Sequence, residues 1–461
     1  LIHLPRTIRF MSKGIRITKG LSIKIKGSPK NQIENLPLAS TYAFNLNDFH
    51  LHVPKLILRE GDSVKRGTPI FYAKSNEKLK FVSPVSGTVK EIVRGERRKI
   101  HNIIIYSDGK DNFVKHKPPV FDNSSVQELI DFLLEAGVWP LINQRPFDII
   151  ADPNISPKAI HVSCFDSSPL AVDYEFMMKD RLSEIKAGLD YLDKIVNGEL
   201  FLGLKSCQEL FQKEFSNYKT NLFDGPHPSG NVGVQIHHIN PINSGEVVWT
   251  LKLEDIAVIG KLILTGEYLP DRTVAVTGPP VKNPKYFNLR TGANLDSVIN
   301  NVEIDNKNDV RFINGDVLSG YKVDSKGYLG HYNNKLSVLK EGNQYRLFGW
   351  IPFINNTVPS IYKTSFSWLF NNKEKDYDTN LNGEERAFVA TGEMESVFPM
   401  DIYPMQLIKE CMIGDIEKME KLGIYEVSPE DFGLIDYSSS SKIEAQTIIR
   451  QGLDYIHKET Q

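Results

Sequence analysis

Residues 51–107 constrain the fold of this chain more than any other part of the sequence. They consist of short apolar runs separated by glycine and proline turns, a pattern typical of a small all-β unit. Glycine matters here because it adopts the positive φ angles that tight turns require. Two glycine-containing groups bracket the stretch: Glu60-Gly61-Asp62-x-Val64-x-x-Gly67 and Ser83-Pro84-x-Ser86-Gly87-x-Val89. The sequence therefore predicts a compact β unit near the amino terminus.

This spacing resembles that of biotinyl and lipoyl carrier domains, which are flattened barrels with two pseudo-equivalent halves. In those carriers a modified lysine lies at a hairpin tip midway between the two glycine turns. Here the tip falls at residues 75–78, and the residues that flank the carrier lysine are missing. Lys78 also lies about one residue out of register. We therefore expect a carrier-like barrel without an attached group, with Lys78 as a solvent-exposed hairpin lysine.

Length and charge exclude several classes of function. With 461 residues, the chain is long enough for several domains that each bury their own core. Its formal net charge of −2 lacks the basic excess of a nucleic-acid-binding protein, so we expect no nucleic-acid partner. The longest apolar stretch, residues 256–264, is broken by Gly260 and Lys261 and is far shorter than the roughly 20 residues of a membrane span.

The spacing of the cysteines argues against a self-contained metal or iron–sulfur site. Cys164, Cys207 and Cys411 lie far apart, with no CxxC pair. Their small, odd number fits a reducing compartment. Residues 1–10 precede Met11 and lack the apolar core of a secretory signal, so we expect them to be an upstream extension or a miscalled start rather than structure.

From Ser124 the apolar residues follow a helical period. Val126, Leu129, Ile130 and Leu133 share one helix face, and Ser124 or Ser125 is the predicted N-cap. Further predicted segments alternate between strand and helix, which indicates an α/β layer with a mostly parallel sheet. They are a strand at 159–163, a helix at 180–196 and a strand at 199–204. Later strands are predicted at 246–251, 273–278, 310–313, 336–339 and 344–348, and a mainly helical tail begins at 384.

Eight short motifs occur in order along the chain and together carry a family resemblance. They are Lys19-Gly20-Leu21; Arg59-x-Gly61-Asp62-x-Val64-Lys65-x-Gly67; Ser83-Pro84-x-Ser86-Gly87; Gly137-x-Trp139 with Arg145-Pro146-Phe147; Gly225-Pro226-His227-Pro228-x-Gly230; Gly260-Lys261-Leu262-x-Leu264-Thr265-Gly266-Glu267; Ser337-Val338-Leu339-x-Glu341-Gly342; and Phe348-Gly349-Trp350. With these motifs the chain resembles the NqrA family of bacterial sodium-pumping NADH:quinone oxidoreductases, along nearly its full length from Met11.

The resemblance implies an α+β multidomain fold. The expected parts are an N-terminal extension with strands at 1–50, a lipoyl/biotinyl-like barrel-sandwich at 51–115, a Rossmann-like α/β domain at 116–240, a β-grasp (SLBB-like) ligand-binding domain at 241–348, and a mainly helical C-terminal part at 349–461.

The resemblance also implies a function. A member of this family lies peripherally on the cytoplasmic face of the bacterial inner membrane, within a six-subunit complex. That complex is a translocase that passes electrons from NADH to quinone while it moves Na⁺. We expect this chain to sit over the membrane-embedded NqrB protein and to help form the quinone-reduction site. The family places flavins and iron–sulfur centres in sister subunits, so we expect no cofactor here, quinone as substrate, and no catalysis by the isolated chain.

Two stretches of sequence agree with the expected lack of cofactors. Related flavoproteins cradle the flavin phosphate with a glycine-rich loop, whose backbone N–H groups approach the ligand closely. The corresponding residues 141–147 contain no glycine and do contain a proline. Some family members carry a Cys-x-Tyr-x-Cys-Pro remnant near the carboxyl terminus, where this chain has no cysteine at residues 435–441.

Three residues are candidates for quinone binding, and none is predicted to be catalytic or to bind metal. His227 lies between Pro226 and Pro228, so a stiff loop aims an imidazole that can donate a hydrogen bond to a quinone carbonyl. The other interpretation is an interdomain corner. Phe366 and Trp368 alternate along a strand-like segment and offer an apolar face to the quinone, unless they pack in the core.

Other polar residues are weaker candidates. His237 and His238 point to opposite faces if their segment is extended, which argues against a two-histidine metal site. We expect His161 to pack in the core. Residues 166–170 follow a predicted strand, where α/β sheets usually bind ligands, but they lack a glycine-rich turn.

Two alternative functions remain open from the sequence. One is a structural scaffold protein of the complex without its own quinone site. The other is an independent small-molecule-binding enzyme, against which the missing glycine-rich loop counts.

Overall fold

The amino-terminal segment supplies strands to two sheets that are otherwise built from later residues. The structure is a computed structural model that describes residues 13–342 and 374–460. Strand β1 (Lys13–Arg16) pairs in parallel with residues 221–224, and β2 (Ile33–Asn35) with residues 286–288. Strand β1 lies at one edge of its sheet and ends at Arg16. Residues 13–35 therefore tie distant parts of the chain together.

The predicted β unit is a barrel-sandwich of two small antiparallel sheets. Its strands are β3 (Thr41–Asn45), β4 (Pro54–Leu56), β5 (Ser63–Val64), β6 (Pro69–Ala73), β7 (Asn76–Val82), β8 (Gly87–Arg94) and β9 (Ile100–Ser107). One sheet has the order β3-β9-β8-β5 and the other β4-β6-β7. The barrel includes residues before the predicted start at 51, because β3 pairs along its whole length with β9.

Lys78 lies on strand β7 rather than at a hairpin tip. The turn between β6 and β7 is formed by residues 74–75. The Lys78 side chain is exposed and its Nζ forms an ion pair with Asp131 Oδ1 at 3.0 Å. The expected exposed lysine is confirmed, but its predicted place at the tip is wrong, because the hairpin turn is shorter than the sequence suggested.

A seven-stranded sheet flanked by helices forms the second domain. Its elements are α1 (Val126–Glu135), β10 (Asn143–Arg145), β11 (Ile149–Ile150), β12 (Ala159–Ser163), α2 (Tyr174–Met178), α3 (Leu182–Ile195), β13 (Leu200–Lys205), α4 (Glu209–Glu214), β14 (Lys219–Asp224), α5 (Val232–Ile239), β15 (Val248–Lys252) and α6 (Leu253–Thr265). The strand order is β1-β14-β13-β12-β15-β10-β11.

The mostly parallel character of this sheet is confirmed. Strands β1, β14, β13, β12 and β15 are parallel neighbours, and β10 and β11 extend the sheet in antiparallel fashion. Ser125 caps α1 in a capping box with Glu128, as predicted from the helical period. The sheet continues past the predicted boundary at residue 240, because β15 pairs with both β12 and β10.

A third, mixed sheet follows, and then a cluster of short helices. The sheet contains β16 (Asp271–Thr277), β17 (Lys285–Arg290), β18 (Val310–Asn314), β19 (Tyr321–Val323) and β20 (Lys335–Lys340), with α7 (Asp296–Ile299) on the connection. Its order is β19-β18-β20-β16-β17-β2. The helices are α8 (Glu393–Val397), α9 (Pro404–Ile413), α10 (Ile416–Lys421), α11 (Gly433–Ser438) and α12 (Ala445–Thr460).

The helical tail begins later than predicted, because residues 384–390 form neither helix nor strand. The strand predicted at 344–348 lies outside the described residues. Within residues 13–342 and 374–460, no helix has both the length and the apolar character needed to cross a bilayer.

Buried charges link the domains around one central region. Lys335 of the third sheet pairs with Asp166 of the α/β domain. Arg145 pairs with Asp431, which precedes α11. Arg290 on β17 pairs with Asp111, which follows the barrel. Because a buried charge without a partner is very unfavourable, each pair holds its two domains in a defined relation.

Candidate functional site

A cleft of about 400 Å³ lies at the carboxyl ends of β12 and β15, where α/β sheets usually bind ligands. The α/β domain forms its floor, and loops of the third sheet cover it. The barrel and the C-terminal part each add an acidic residue. Its lining includes Asp48, Ser163, Asp166, His227, Asp316, Asn333, Lys335 and Glu430. Most of these side chains are polar, so the cleft is suited to a ligand that carries hydrogen-bonding groups.

His227 is buried on the loop after β14, and its side chain reaches this cleft. Its Nδ1 lies 3.0 Å from Ser167 Oγ, which also accepts the Gly230 N–H at 2.8 Å. Among the residues that the structure describes, the Ser167 hydroxyl proton has no other acceptor. We therefore assign the hydroxyl as donor to Nδ1, which leaves the ring proton of His227 on Nε2.

The cleft thus receives a neutral N–H donor. Burial lowers the pKa of His227, although the nearby carboxylates of Asp316 and Asp166 oppose that shift. The imidazole is consequently neutral at neutral pH. Its Nε2–H has no hydrogen-bond partner in the part of the chain that the structure describes, so it is available to an acceptor on a ligand.

A buried ion pair forms the wall of the cleft beside His227. Lys335 Nζ lies 2.7 Å from Asp166 Oδ2 and 2.8 Å from Ser168 Oγ. Burial favours a higher pKa for Asp166, but the Lys335 ammonium outweighs it and holds that pKa below its usual range. The weaker candidate loop 166–170 lines the cleft through Asp166 and Ser168, and ligand binding by this loop stays a prediction.

Asp48 reaches the cleft from the barrel. It accepts hydrogen bonds from the His331 N–H at 2.8 Å and from the Tyr321 hydroxyl at 3.2 Å. Burial raises the pKa of Asp48 to about 6, and the two hydrogen bonds only partly oppose it. An unfolded aspartate titrates near 4, so between about pH 4 and pH 6 the folded chain binds more protons than the unfolded chain. The free energy of unfolding therefore falls as the pH rises through this window.

Arg145 belongs to the glycine-free residues 141–147 of the α/β domain. Its side chain contacts the segment that precedes the C-terminal helix α11. Its Nη1 donates to Asp431 Oδ2 at 2.8 Å, and its Nη2 donates to Ser428 Oγ and Glu430 Oε1, both at 2.8 Å. A methyl group at Gly233 of α5 would overlap both Arg145 Nη1 and the Asp431 carboxylate, so glycine there allows the pair to form. Burial disfavours the charge, but the carboxylates outweigh it and raise the pKa of Arg145.

Comparison with known proteins identifies the family. Three family models match the chain: the NqrA N-terminal barrel-sandwich hybrid domain at residues 15–108, the NqrA second alpha/beta domain at 124–268, and the NQRA C-terminal domain at 273–325. The A subunits of the Na(+)-translocating NADH-quinone reductases from Marinomonas sp. and Pseudomonas aeruginosa are 34% and 33% identical to it. Each alignment covers 96% of this chain, and 99% and 100% of the relatives. The chain belongs to the NqrA family.

The predicted quinone-binding residues of this NqrA-family chain are only partly among those described. His227 lies in the cleft, as a ligand-binding role requires. Phe366 and Trp368 lie outside the described residues, so their predicted role stays a prediction. No role was predicted for Asp48, Lys335 or Arg145. The local sequence does not distinguish Asp48 and Lys335 from surface charges, whereas Arg145 belongs to the motif Arg145-Pro146-Phe147, which is the signal that could have found it.

The three other histidines considered from the sequence, His161, His237 and His238, take part in packing or in contacts within the chain. His161 is buried and stacks on Phe201 at 5.1 Å between ring centroids, which confirms the predicted core packing. Burial lowers the pKa of His161 to about 3. The extended segment considered for His237 and His238 is wrong, because both residues lie on helix α5. His237 Nδ1 lies 2.8 Å from Glu426 Oε2, and among the described residues no group of side chains is arranged to hold a metal ion.

Proposed function

We propose that this chain acts as the NqrA component of a sodium-translocating NADH:quinone reductase and helps to form its quinone-reduction site. The proposed quinone site is supported by the His227 Nε2–H, which lies in the cleft without a partner among the described residues. The relatives of this chain are named as subunits of that enzyme. In this proposal the chain lies peripherally on the cytoplasmic face of the membrane. It contacts the membrane-embedded NqrB protein and the other members of a six-subunit complex.

The chemistry of a quinone suits this donor. A quinone carbonyl accepts hydrogen bonds, and negative charge grows on its oxygen as the ring is reduced. A neutral N–H held in place before the reaction stabilises that charge without reorganisation. Ser167 and Gly230 hold the His227 ring in the required tautomer. Phe366 and Trp368 are the proposed apolar face for the quinone ring.

In the proposal, the chain carries no flavin or iron–sulfur centre of its own. Support comes from residues 141–147, which correspond to the glycine-rich loop of related flavoproteins: this chain has no glycine there, and the Arg145 guanidinium binds Asp431. The proposed finer fold types are a Rossmann-like second domain and a β-grasp ligand-binding third domain. The flavins and iron–sulfur centres belong to sister subunits, and an absorption spectrum of the purified chain tests this directly.

A photoreactive quinone analogue on the intact complex tests the quinone site. We expect label on peptides that include His227, and His227→Gln should lower the labelling and raise the KM for quinone about tenfold or more, because one strong hydrogen bond is lost. His238→Gln is the matched control, since the only hydrogen bond of the His238 ring within the described residues is to the Val234 carbonyl of its own helix.

Two other outcomes would support the alternatives. Label confined to NqrB would show that this chain binds no quinone, which leaves the scaffold function. Reduction of quinone by NADH with the purified chain in isolation would favour an independent enzyme.

A further inference from the structure

The hairpin between β8 and β9 ends in a cluster of cations, here called the basic tip: Arg94, Arg97, Arg98 and Lys99. All four side chains are exposed, and none forms an ion pair with another part of the described chain. Glu96 is the single carboxylate within the tip. With four cations and one carboxylate, the basic tip therefore presents a net positive charge to the solvent.

The basic tip lies at the end of the barrel from which residues 46–53 emerge. Strand β3 ends at Asn45 opposite Asn102, and β8 and β9 continue past this point to the tip. At the same end, Leu51 and Val53 are 43% and 62% exposed. Cationic and apolar side chains are thus presented together at one end of the barrel.

The backbone at this end is held in an unusual conformation. Leu51, Arg97 and Arg98 have φ angles of 61°, 53° and 60°, in the left-handed region that bulky residues rarely adopt. Such conformations cost of order 1–3 kcal/mol each and are concentrated at ligand-binding sites. Here they turn two arginines and one leucine towards solvent.

Exposed apolar side chains continue onto the neighbouring C-terminal helices. His50 Nε2 lies 2.8 Å from Asp454 Oδ1, which fixes α12 beside residues 50–53. Tyr455 on that helix is 42% exposed, and Ile413 at the end of α9 is 71% exposed. A methyl group at Gly414 would lie 3.7 Å from the Tyr455 ring, so these two helices meet at this place.

We propose that this end of the molecule rests on an anionic phospholipid surface. The basic tip contacts headgroup phosphates, and Leu51 and Val53 enter the interface. This inference rests on the proposed function, in which the chain is peripheral to a membrane. Each cation near an anionic surface adds to binding, and exposed apolar groups strengthen it. The four cations lie on a projecting hairpin, which suits a layer of headgroups better than the shaped pocket of a protein partner.

Co-sedimentation of the full chain with vesicles tests the proposal. We expect binding to vesicles of equal phosphatidylglycerol and phosphatidylcholine, no binding to phosphatidylcholine alone, and weaker binding as salt is added. The R94Q/R97Q/R98Q/K99Q variant should lose about fivefold in partition coefficient per cation, and at least about 100-fold in total.

A matched control removes the same charge elsewhere. The K110Q/K115Q/K117Q/K205Q variant loses four exposed lysines, three of which follow β9 at the opposite end of the barrel. It should bind within about threefold of the unmodified chain, because charges more than about 10 Å from the surface are screened. Equal losses in the two variants would show that only net charge matters and would overturn the proposed surface.

A charge-preserving variant separates lipid from protein recognition. R94K/R97K/R98K keeps the charge, so binding to the anionic vesicles should be retained, whereas bidentate recognition of carboxylates on a protein needs arginine. Loss of binding in this variant, or no vesicle binding by the unmodified chain, would overturn the proposal. Quinone labelling of the intact complex reports the proposed function independently, since the basic tip is remote from His227 in sequence and takes no part in the cleft lining.

Discussion

Replacing Arg145 by methionine should loosen the C-terminal helices from the α/β domain. The Arg145 side chain is 1% exposed, and the carboxylate of its partner Asp431 is fully buried. Methionine keeps much of the apolar bulk but removes every donor. The change therefore leaves the Asp431 carboxylate buried without its cation, and Ser428 and Glu430 also lose their bonds to the guanidinium.

The size of the effect follows from the burial of the pair. Removal of one partner of a buried ion pair costs about 3–5 kcal/mol. At about 1.4 kcal/mol per tenfold change, local opening of this interface should become about 10²- to 4 × 10³-fold more frequent. By contrast, Lys78→Met breaks an ion pair whose side chains are 68% and 44% exposed, and it should cost less than about 1 kcal/mol.

Hydrogen exchange measured by mass spectrometry reports this opening directly. Amides in residues 424–438 should exchange faster in Arg145→Met by the factor above, while the barrel strands should keep their rates. The double variant R145M/D431L replaces the pair with apolar groups and should recover most of the protection. Exchange in Arg145→Met equal to that in Lys78→Met, or a double variant worse than the single one, would refute the reasoning.

Three further substitutions test the buried groups. Asp48→Asn should raise the free energy of unfolding by up to about 3 kcal/mol above about pH 6 and by little near pH 4. The reason is that it removes a carboxyl whose pKa is raised to about 6 in the folded chain. Urea unfolding at the two pH values measures this difference. His161→Phe should stabilise the fold increasingly as the pH falls below about 6.5. The buried imidazole stays neutral down to about pH 3, whereas the imidazole in the unfolded chain takes up a proton. Thermal unfolding at about pH 5 and pH 8 checks this prediction. Gly233→Ala should displace Arg145 and speed exchange in residues 424–438.

Each of these substitutions has a result that would contradict it. A gain from Asp48→Asn that is equal at both pH values would show that the pKa of this carboxyl is not raised in the folded chain; Asp180→Asn, at an exposed site, should give no gain. For His161→Phe, a change in unfolding free energy that is the same at both pH values would mean that repacking of the core, not ionisation of the histidine, causes the change. Gly14→Ala is the control for Gly233→Ala, because no atom of the described residues other than its chain neighbours lies within 4 Å of the added methyl group.

Local patterns in the sequence predicted the regular elements well. The Ser125 capping box and the apolar period of α1, the buried strand β12 and the glycine turns of the barrel all arise from interactions between near neighbours. Such interactions are encoded within a few residues, so they can be read without knowing the fold. The lack of glycine in residues 141–147 can likewise be read from the sequence without knowing the fold.

Pairing between distant segments could not be predicted in the same way. Strands β1 and β2 pair with strands whose residues lie 208 and 253 positions later in the chain (Lys13 with Asn221, Ile33 with Tyr286). Strand β15 belongs to a sheet that was predicted to end before it. Local sequence specifies that a segment is extended, but the choice of partner depends on which apolar faces remain uncovered when the domains pack.

The candidate site shows the same division. The sequence by itself determined that the chain has a barrel-sandwich, an α/β layer and a stiff loop that presents His227, because turns, periodicity and prolines act locally. Only the tertiary structure decided that Asp166 would meet Lys335 and that Arg145 would meet Asp431, residues 169 and 286 positions apart. A charge can be buried only where its partner and hydrogen bonds are supplied, and those come from whichever segments packing brings together.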